Sequence, residues 1–265
     1  MKLNPLEHNE RNDLKVGIRA YYVWGILGWH DIKQRYRRSV IGPFWFTLST
    51  LIMVGVLGIL YSELLGQDIT DYLPYLGIGL VVWQYISTNI NEACSTFINN
   101  SYIIKQVRLP MTIHIVRVCW RNLVILMHSL PVVIIIMMIM GHQLSLNFLL
   151  AIPGIILLFL NLVWMSIVSA ILCTRYRDVL PIVGNIIQVA FFFTPIMWSK
   201  ELLKDRAWAV DINIFHHMIE IIRAPILGHE VFASSWIVNA VMVVVGFIIA
   251  QILLMKYRNR IAYWL

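Results

Sequence analysis

The chain has 265 residues, of which 59% are hydrophobic and only 13% charged, a balance too apolar for a soluble globular protein of this length. Its formal net charge of +7 reads as membrane orientation rather than as a nucleic-acid surface. The three cysteines, Cys94, Cys119 and Cys173, fall at or beyond the expected cytoplasmic ends of spans, which argues against a disulfide framework.

The first 20 residues are charged and lack an apolar core, so no cleavable signal peptide is expected. At 100° per residue, Leu14, Ile18, Tyr21, Gly25, Trp29, Ile32 and Tyr36 share one helical face, with Lys15, Arg19, Lys33 and Arg37 grouped away from it. That pattern predicts an amphipathic helix lying in the membrane interface. It serves equally as an anchor or as a docking surface for a cytoplasmic partner. The basic run Arg35-Tyr36-Arg37-Arg38 then leads into an apolar stretch from Pro43 to about Tyr61, long enough for a span, which needs about 20 residues.

Further apolar segments lie at about Tyr72 to Glu92, Asn122 to Met140, Phe148 to Cys173, Val179 to Trp198 and Trp236 to Met255. Together they predict an all-α integral membrane protein with six transmembrane helices, since backbone polar groups in hydrocarbon must be satisfied within each segment. All of the basic residues except Lys200, Lys204, Arg206 and Arg223 fall on one side of this topology. With positive charge inside, both termini are expected in the cytoplasm. Two regions follow, cytoplasmic interfacial and entrance helices over 1–42 and a six-span domain over 43–265, forming one membrane domain.

The second segment is polar in its cytoplasmic half, with Gln84, Ser87, Thr88, Asn89, Asn91 and Glu92, which should face other helices or a conduit. The sizeable cytoplasmic loop, about Ala93 to Arg121, holds a stretch in which Asn99, Asn100 and Ser101 can cap a short helix and Pro110 ends it. Such a helix is too short to stand alone and should pack on something. If the end of the loop continues as helix, His114, Arg117, Arg121 and His128 lie within about 60° of one another. That basic stripe is either an interfacial anchor or a contact for substrate phosphate. Phe44, Trp45, Trp83 and Tyr85 belong to an abundant aromatic supply, read as interfacial belt and packing or, where deeper, as flat faces for sugar rings.

The outer loop from Ser199 to Ser235 is too apolar for a free loop and too charged for a lipid-facing span. Short re-entrant or interfacial helices between the fifth and sixth spans fit it best. His216, His217 and Glu220 lack the spacing of a catalytic metal site. No glycine is followed by lysine, so a phosphate-binding loop cannot occur. H-E-x-x-H and G-x-S-x-G are likewise absent. The chain is therefore expected to be no enzyme by itself. If ATP drives it, a separate chain supplies the hydrolysis.

Trp29-His30-Asp31-Ile32-Lys33-Gln34-Arg35-Tyr36-Arg37-Arg38-Ser39-Val40-Ile41-Gly42-Pro43-Phe44-Trp45 resembles the segment RDLKxRYRxSxLGxxW that leads into the first span of type-2 ABC exporter permeases, with His30-Asp31 in place of Arg-Asp. Arg175-Tyr176-Arg177-Asp178-Val179 is similar to that family's RxRD turn, and Thr194-Pro195-Ile196 matches near the outer end of the fifth span. The order of these motifs resembles the branch exporting O-antigen, capsule or teichoic-acid chains. The resemblance implies a homodimeric inner-membrane permease bound to a separate ABC ATPase, with ATP and magnesium on that partner and no cofactor in this chain. It implies coupling to the ATPase through Lys15, Arg19, Tyr102, Ile103, Lys105 and Arg108. It also implies an entrance for a lipid-linked polysaccharide guarded by Arg35, Arg37 and Arg38, whose planar forks suit a pyrophosphate head. An exporter of a small drug or lipid is the alternative within the family. A self-sufficient channel or secondary transporter is disfavoured by spans poor in acids.

Overall fold

The first apolar run becomes a helix 22 residues long, Phe44–Leu65, written α3, and at 1.5 Å per residue it is about 33 Å long. Two helices precede it, α1 (Asp13–Arg19) and α2 (Tyr21–Arg35). After it come α4 (Ile69–Asn99), α5 (Ser101–Gln106), α6 (Met111–Ile139), α7 (Ala151–Arg175) and α8 (Val179–Phe193). The chain ends in α9 (Trp208–Asp211), α10 (Ile214–Ile226) and α11 (Ala233–Trp264). Short 3-10 turns at Leu146–Leu150 and Lys200–Arg206 complete the order. The computed structural model describes residues 13–35, 37, 44–107, 109–206 and 208–265. Arg38, Arg108 and the side chain of Phe44, all expected to be functional, lie outside the described residues.

Among the described residues, four helical stretches are long and apolar enough to cross a bilayer: Thr47–Leu65, Met111–Ile139, Leu146–Arg175 and Ala233–Trp264. The other two expected spans differ for separate reasons. α4 has 31 residues but is interrupted by Asp71, Gln84, Asn89, Asn91 and Glu92, so its length suffices and its polarity does not. α8 is apolar but only 15 residues long, about 22 Å against a hydrocarbon core of about 30 Å. Pro195 sets its end: the residue before a proline is pushed out of the helical region, and Thr194 is extended with ψ 134°. The expected run to Trp198 therefore stops at Phe193.

Several sequence-based boundaries shift. The N-terminal amphipathic segment is two helices broken at Ala20, and only part of the expected stripe is buried against the rest of the chain. Tyr21 and Trp29 are exposed, while Gly28 and Ile32 are buried. Gly28 allows the close approach: a Cβ there would lie 2.9 Å from the Trp120 ring and 3.2 Å from the Arg117 carbonyl. Trp24 adds an edge-to-face contact with Trp120 at 5.6 Å. The long loop after α4 contracts as well, because α4 runs on to Asn99 and α6 begins at Met111. Pro110 does not end the short helix. It stands just before α6, where a missing amide costs nothing, and α5 stops earlier, at Gln106. α5 packs as its length requires, with Ile104 buried in the same cluster as Phe97, Ile115 and Ile261.

The core has two parts. Leu76, Ile78, Ile86, Leu158, Leu162, Met218 and Ile222 fill one half, where α10 wedges between α4, α7 and α11. Phe97, Ile115, Cys119, Ile167, Ile171 and Leu254 fill the other. α11 lies close along α7 because Gly246 faces Trp164, and α10 approaches as closely because Gly154 faces the Ile221 carbonyl. α1, α5, the start of α6 and the last turns of α11 meet at one end, here called the basic end. The turn after α3, the start of α4 and α10 form the far end.

Candidate functional site

Helical spacing builds a charged cluster at the basic end. Asp31 and Arg35 sit one turn apart on α2, as do Arg117 and Arg121 on α6, and α4 carries Glu92 towards both. Asp31 accepts from Nε of Arg117 at 2.6 Å, and the second guanidinium nitrogen, Nη2, completes a fork on the same carboxylate. Arg121 lies 3.7 Å from Asp31 through Nη1 and donates to Glu92 through Nη2. Asn122 donates to Glu92 at 2.8 Å, and Arg35 donates to its other oxygen at 2.7 Å. Three arginines thus enclose two carboxylates, leaving one net positive charge in the cluster. The side chain of Arg35 is the most open of the three, 40% exposed against 12% for Arg121. Arg35 also borders a cavity of about 20 Å³, with Gln84, Thr88, Asn122 and Ser129, room for about one water.

A buried carboxylate, Asp13, fixes the N-terminal helix. Asp13 accepts from the amides of Met111 and Thr112, both at 3.1 Å, and from the Thr112 hydroxyl at 2.7 Å. Arg258 reaches it at 3.0 Å. A carboxylate at a helix start meets free N–H groups and the positive end of the dipole, so α1, α6 and α11 are tied at one point. Close by, Arg175 of the RxRD-like turn lies over the rings of Tyr176, Tyr257 and Trp264 at 5.0, 5.5 and 5.4 Å.

The expected site residues separate into groups. Arg35, Arg117 and Arg121 come together, but as ion pairs with Asp31 and Glu92. Arg37 is exposed beyond the end of α2, and Lys15 and Arg19 are exposed on α1. Tyr102 and Ile103 project from α5, with Tyr102 72% exposed, and Lys105 is exposed beside them. His128 does not join the cluster; its Nδ1 lies 3.1 Å from the Val124 carbonyl on an outward face. Trp83 is buried between Phe191 and Phe215, with centroids at 5.8 and 5.4 Å, and Tyr85 is also buried. Tyr85 borders the small cavity next to Arg35, whereas Trp45 is exposed on α3.

The far end holds what sequence reasoning did not assemble, a cavity of about 980 Å³. Arg223 anchors its floor. Its Nη1 donates to the Pro195 carbonyl at 2.8 Å, Nη2 to Glu220 at 2.7 Å, and its guanidinium lies 3.9 Å from the centroid of the Tyr75 ring. Burial opposes the charge of Glu220, but the Arg223 guanidinium outweighs it and holds the carboxyl below its ordinary range. The Tyr75 hydroxyl donates to the Pro195 and Trp198 carbonyls, so the Thr-Pro-Ile turn is held from α4 and α10 together. The two adjacent histidines differ. Both ring nitrogens of His217 are engaged, Nδ1 with Ser235 and Nε2 with the Asp211 carbonyl, each at 2.9 Å. His216 is 8% exposed and its Nδ1 has no partner among the described residues. Burial is the main cause that pushes its pKa down to about 4, so the ring is neutral at ordinary pH. The acids and histidines interrupting the apolar 199–235 segment were the only sequence signal for this cavity.

Two O-antigen export system permease proteins RfbA of Klebsiella pneumoniae are 27% and 25% identical to this chain over 235 residues, 86% of this chain and 90% of each relative. The O-antigen export system permease protein RfbA of Myxococcus xanthus is 25% identical over 178 residues, 67% of this chain and 68% of that relative. The profile of the ABC-2 type transporter family matches residues 22–227. That span takes in α2 with its ion pairs, all the candidate spans but the last, and α10 at the far end, and the chain belongs to the ABC-2 type transporter family of membrane proteins.

Proposed function

We propose that this chain is the transmembrane subunit of an ATP-driven exporter that moves a lipid-linked polysaccharide of O-antigen or capsule type across a bacterial inner membrane. The similarity to O-antigen export permeases across 86% of the chain carries the reading. In it α4 and α8 join the four apolar helices to make six spans, and α9 and α10 form the re-entrant elements outside the fifth. α4 can span because much of its polar half is covered: Gln84 accepts from Thr50 at 2.9 Å, and Glu92 is enclosed by the arginine cluster. The basic end faces the cytoplasm, with both termini there, by the positive-inside rule.

A separate ABC ATPase carries ATP and magnesium and docks on Lys15, Arg19 and the α5 surface of Tyr102, Ile103 and Lys105, and Arg108, outside the described residues, completes the proposed set. Exposed apolar residues at the tip of a charged surface suit a protein contact. Movement there reaches the spans through the Asp13 tie and the Asp31–Arg117 fork. Arg35, Arg37 and Arg38 receive the pyrophosphate head at the entrance. Arg117 and Arg121 act as the frame behind them, since their forks are already filled by carboxylates.

A second copy closes the conduit against α8. Asn185 and Gln188 face outward from the middle of that short helix, where bare hydrocarbon is costly for an amide. Isolating the tagged chain in mild detergent tests the assembly. The reading expects an ABC ATPase in equal amount and two copies of this chain, with the pair weakened by Tyr102→Ala/Ile103→Asp. A chain that stays alone beside its co-expressed candidate ATPases overturns it.

A further inference from the structure

The far-end cavity is lined by four carboxylates among hydroxyls, histidines and two cations. The side chains of Asp71, Asp211 and Glu220 are 78%, 55% and 20% exposed, and each carboxylate has more acceptor sites than its single ion pair uses. Asp68 adds a fourth acid, against Lys200 and Arg223 as the cations. With the histidines counted as neutral, the formal excess of acids over cations disfavours a polyanion. Among the described residues no group of three side chains has a metal-holding arrangement. His216 lines the cavity, and its Nδ1 is buried without a partner among the described residues, a placement that costs stability. At the rim, Phe232 leaves its ring 75% exposed just before α11. Acceptors within and an apolar plate at the mouth match a ligand with many hydroxyl donors and a flat C–H face. The volume lies at the upper end for ligand pockets, about 300–1,000 Å³.

We propose that this cavity is a saccharide-binding subsite, in which His216 and the carboxylates accept sugar hydroxyls and Phe232 takes the ring face of an uncharged sugar unit. The inference rests on the reading above that a glycan leaves the protein at this end. Held there, the emerging chain has a contact on the outer side that disfavours its return between ATPase strokes.

The test uses the permease–ATPase complex in lipid nanodiscs and oligosaccharides released by mild acid from the cell's own surface polysaccharide. Saturation-transfer NMR should detect binding to the wild type. Phe232→Ala and His216→Leu should each weaken it at least about tenfold, and Phe232→Trp should keep it, because a stacking plate tolerates another aromatic. Phe232 is exposed, so its substitution leaves folding intact, and ATPase activity of the complex confirms assembly in every variant. Binding indifferent to both substitutions overturns the subsite, as does displacement of the oligosaccharide by spermidine at equal concentration, which would mark a cation site. No binding at all, with glycan export intact in cells, overturns the subsite and leaves the export reading standing. Loss of the permease in cells with no effect on surface glycan overturns the export reading itself.

Discussion

Arg223 has a side chain only 3% exposed, and its charge is tolerated because Glu220, the Pro195 carbonyl and the Tyr75 ring all face it. Removing one partner of such a pair strands the other, at a cost of about 3–5 kcal/mol, whereas replacing both can be nearly neutral. Arg223→Met should therefore lower the thermal unfolding midpoint in detergent more than Arg223→Met/Glu220→Gln does. Equal losses would mean that the Pro195 contact, not the ion pair, carries the energy. His216 gives a pH-dependent counterpart. Its ordinary pKa is 6.5 and in the folded chain burial lowers it to about 4, with Glu220 opposing and Arg223, His217 and Lys200 reinforcing the shift. As pH falls between these values the unfolded chain takes up the proton first, so stability declines from about 6.5 down to about 4. The midpoint of the wild type minus that of His216→Phe should fall across this window; a flat difference would show that the ring does not titrate as a buried group. At this scale the sequence was half legible. Arg117 and Arg121 stood out as a basic stripe, but their partners Asp31 and Glu92 lie 86 and 29 positions away, a distance no helical period reaches.

Element by element, the helices were legible and their ends were not. Apolar periodicity marks the middle of a helix, whereas ends depend on local geometry such as Pro195 after α8 or Pro110 before α6. α4 was legible as a helix, but the surroundings of its polar half were not: Gln84 accepts from Thr50 across to α3, while Asn89 donates to the Tyr85 carbonyl of its own helix and its Oδ1 has no partner among the described residues. The close pair α7 and α11 rests on Gly246, where any Cβ would overlap the Trp164 ring. Gly246→Val should cost about 1–3 kcal/mol or more by overpacking, read as a lower unfolding midpoint and lower yield. Adding Trp164→Leu should recover part of that loss, because the two residues share one contact and their effects do not add. A double variant no better than Gly246→Val would place the strain elsewhere along α11.

For the whole molecule the decisive question is which outward face meets protein and which meets lipid. α8 and α11 are both rich in exposed aliphatics, among them Ile182, Ile186 and Val189 on α8 and Val241, Val244 and Ile248 on α11. Two features separate them. α8 adds the exposed amides Asn185 and Gln188, and its outward side borders an apolar groove of about 840 Å³ that runs on to Trp198 and Phe215. α11 presents a plain aliphatic strip, to which lipid tails are as good a partner as another helix. The second copy of the proposed dimer is therefore expected against α8. Because Cys94, Cys119 and Cys173 are buried, single cysteines introduced at the surface report cleanly. Asn185→Cys should cross-link two copies in native membranes with a short bifunctional reagent, converting most of the chain to a dimer band, while Val244→Cys should remain monomeric under the same treatment. The reverse pattern would move the interface to α11 and leave the amides of α8 facing a conduit inside a single protomer. That outcome would also dissolve the argument for a channel shared between two copies, since the polar face needed to line it would already be spent within one chain.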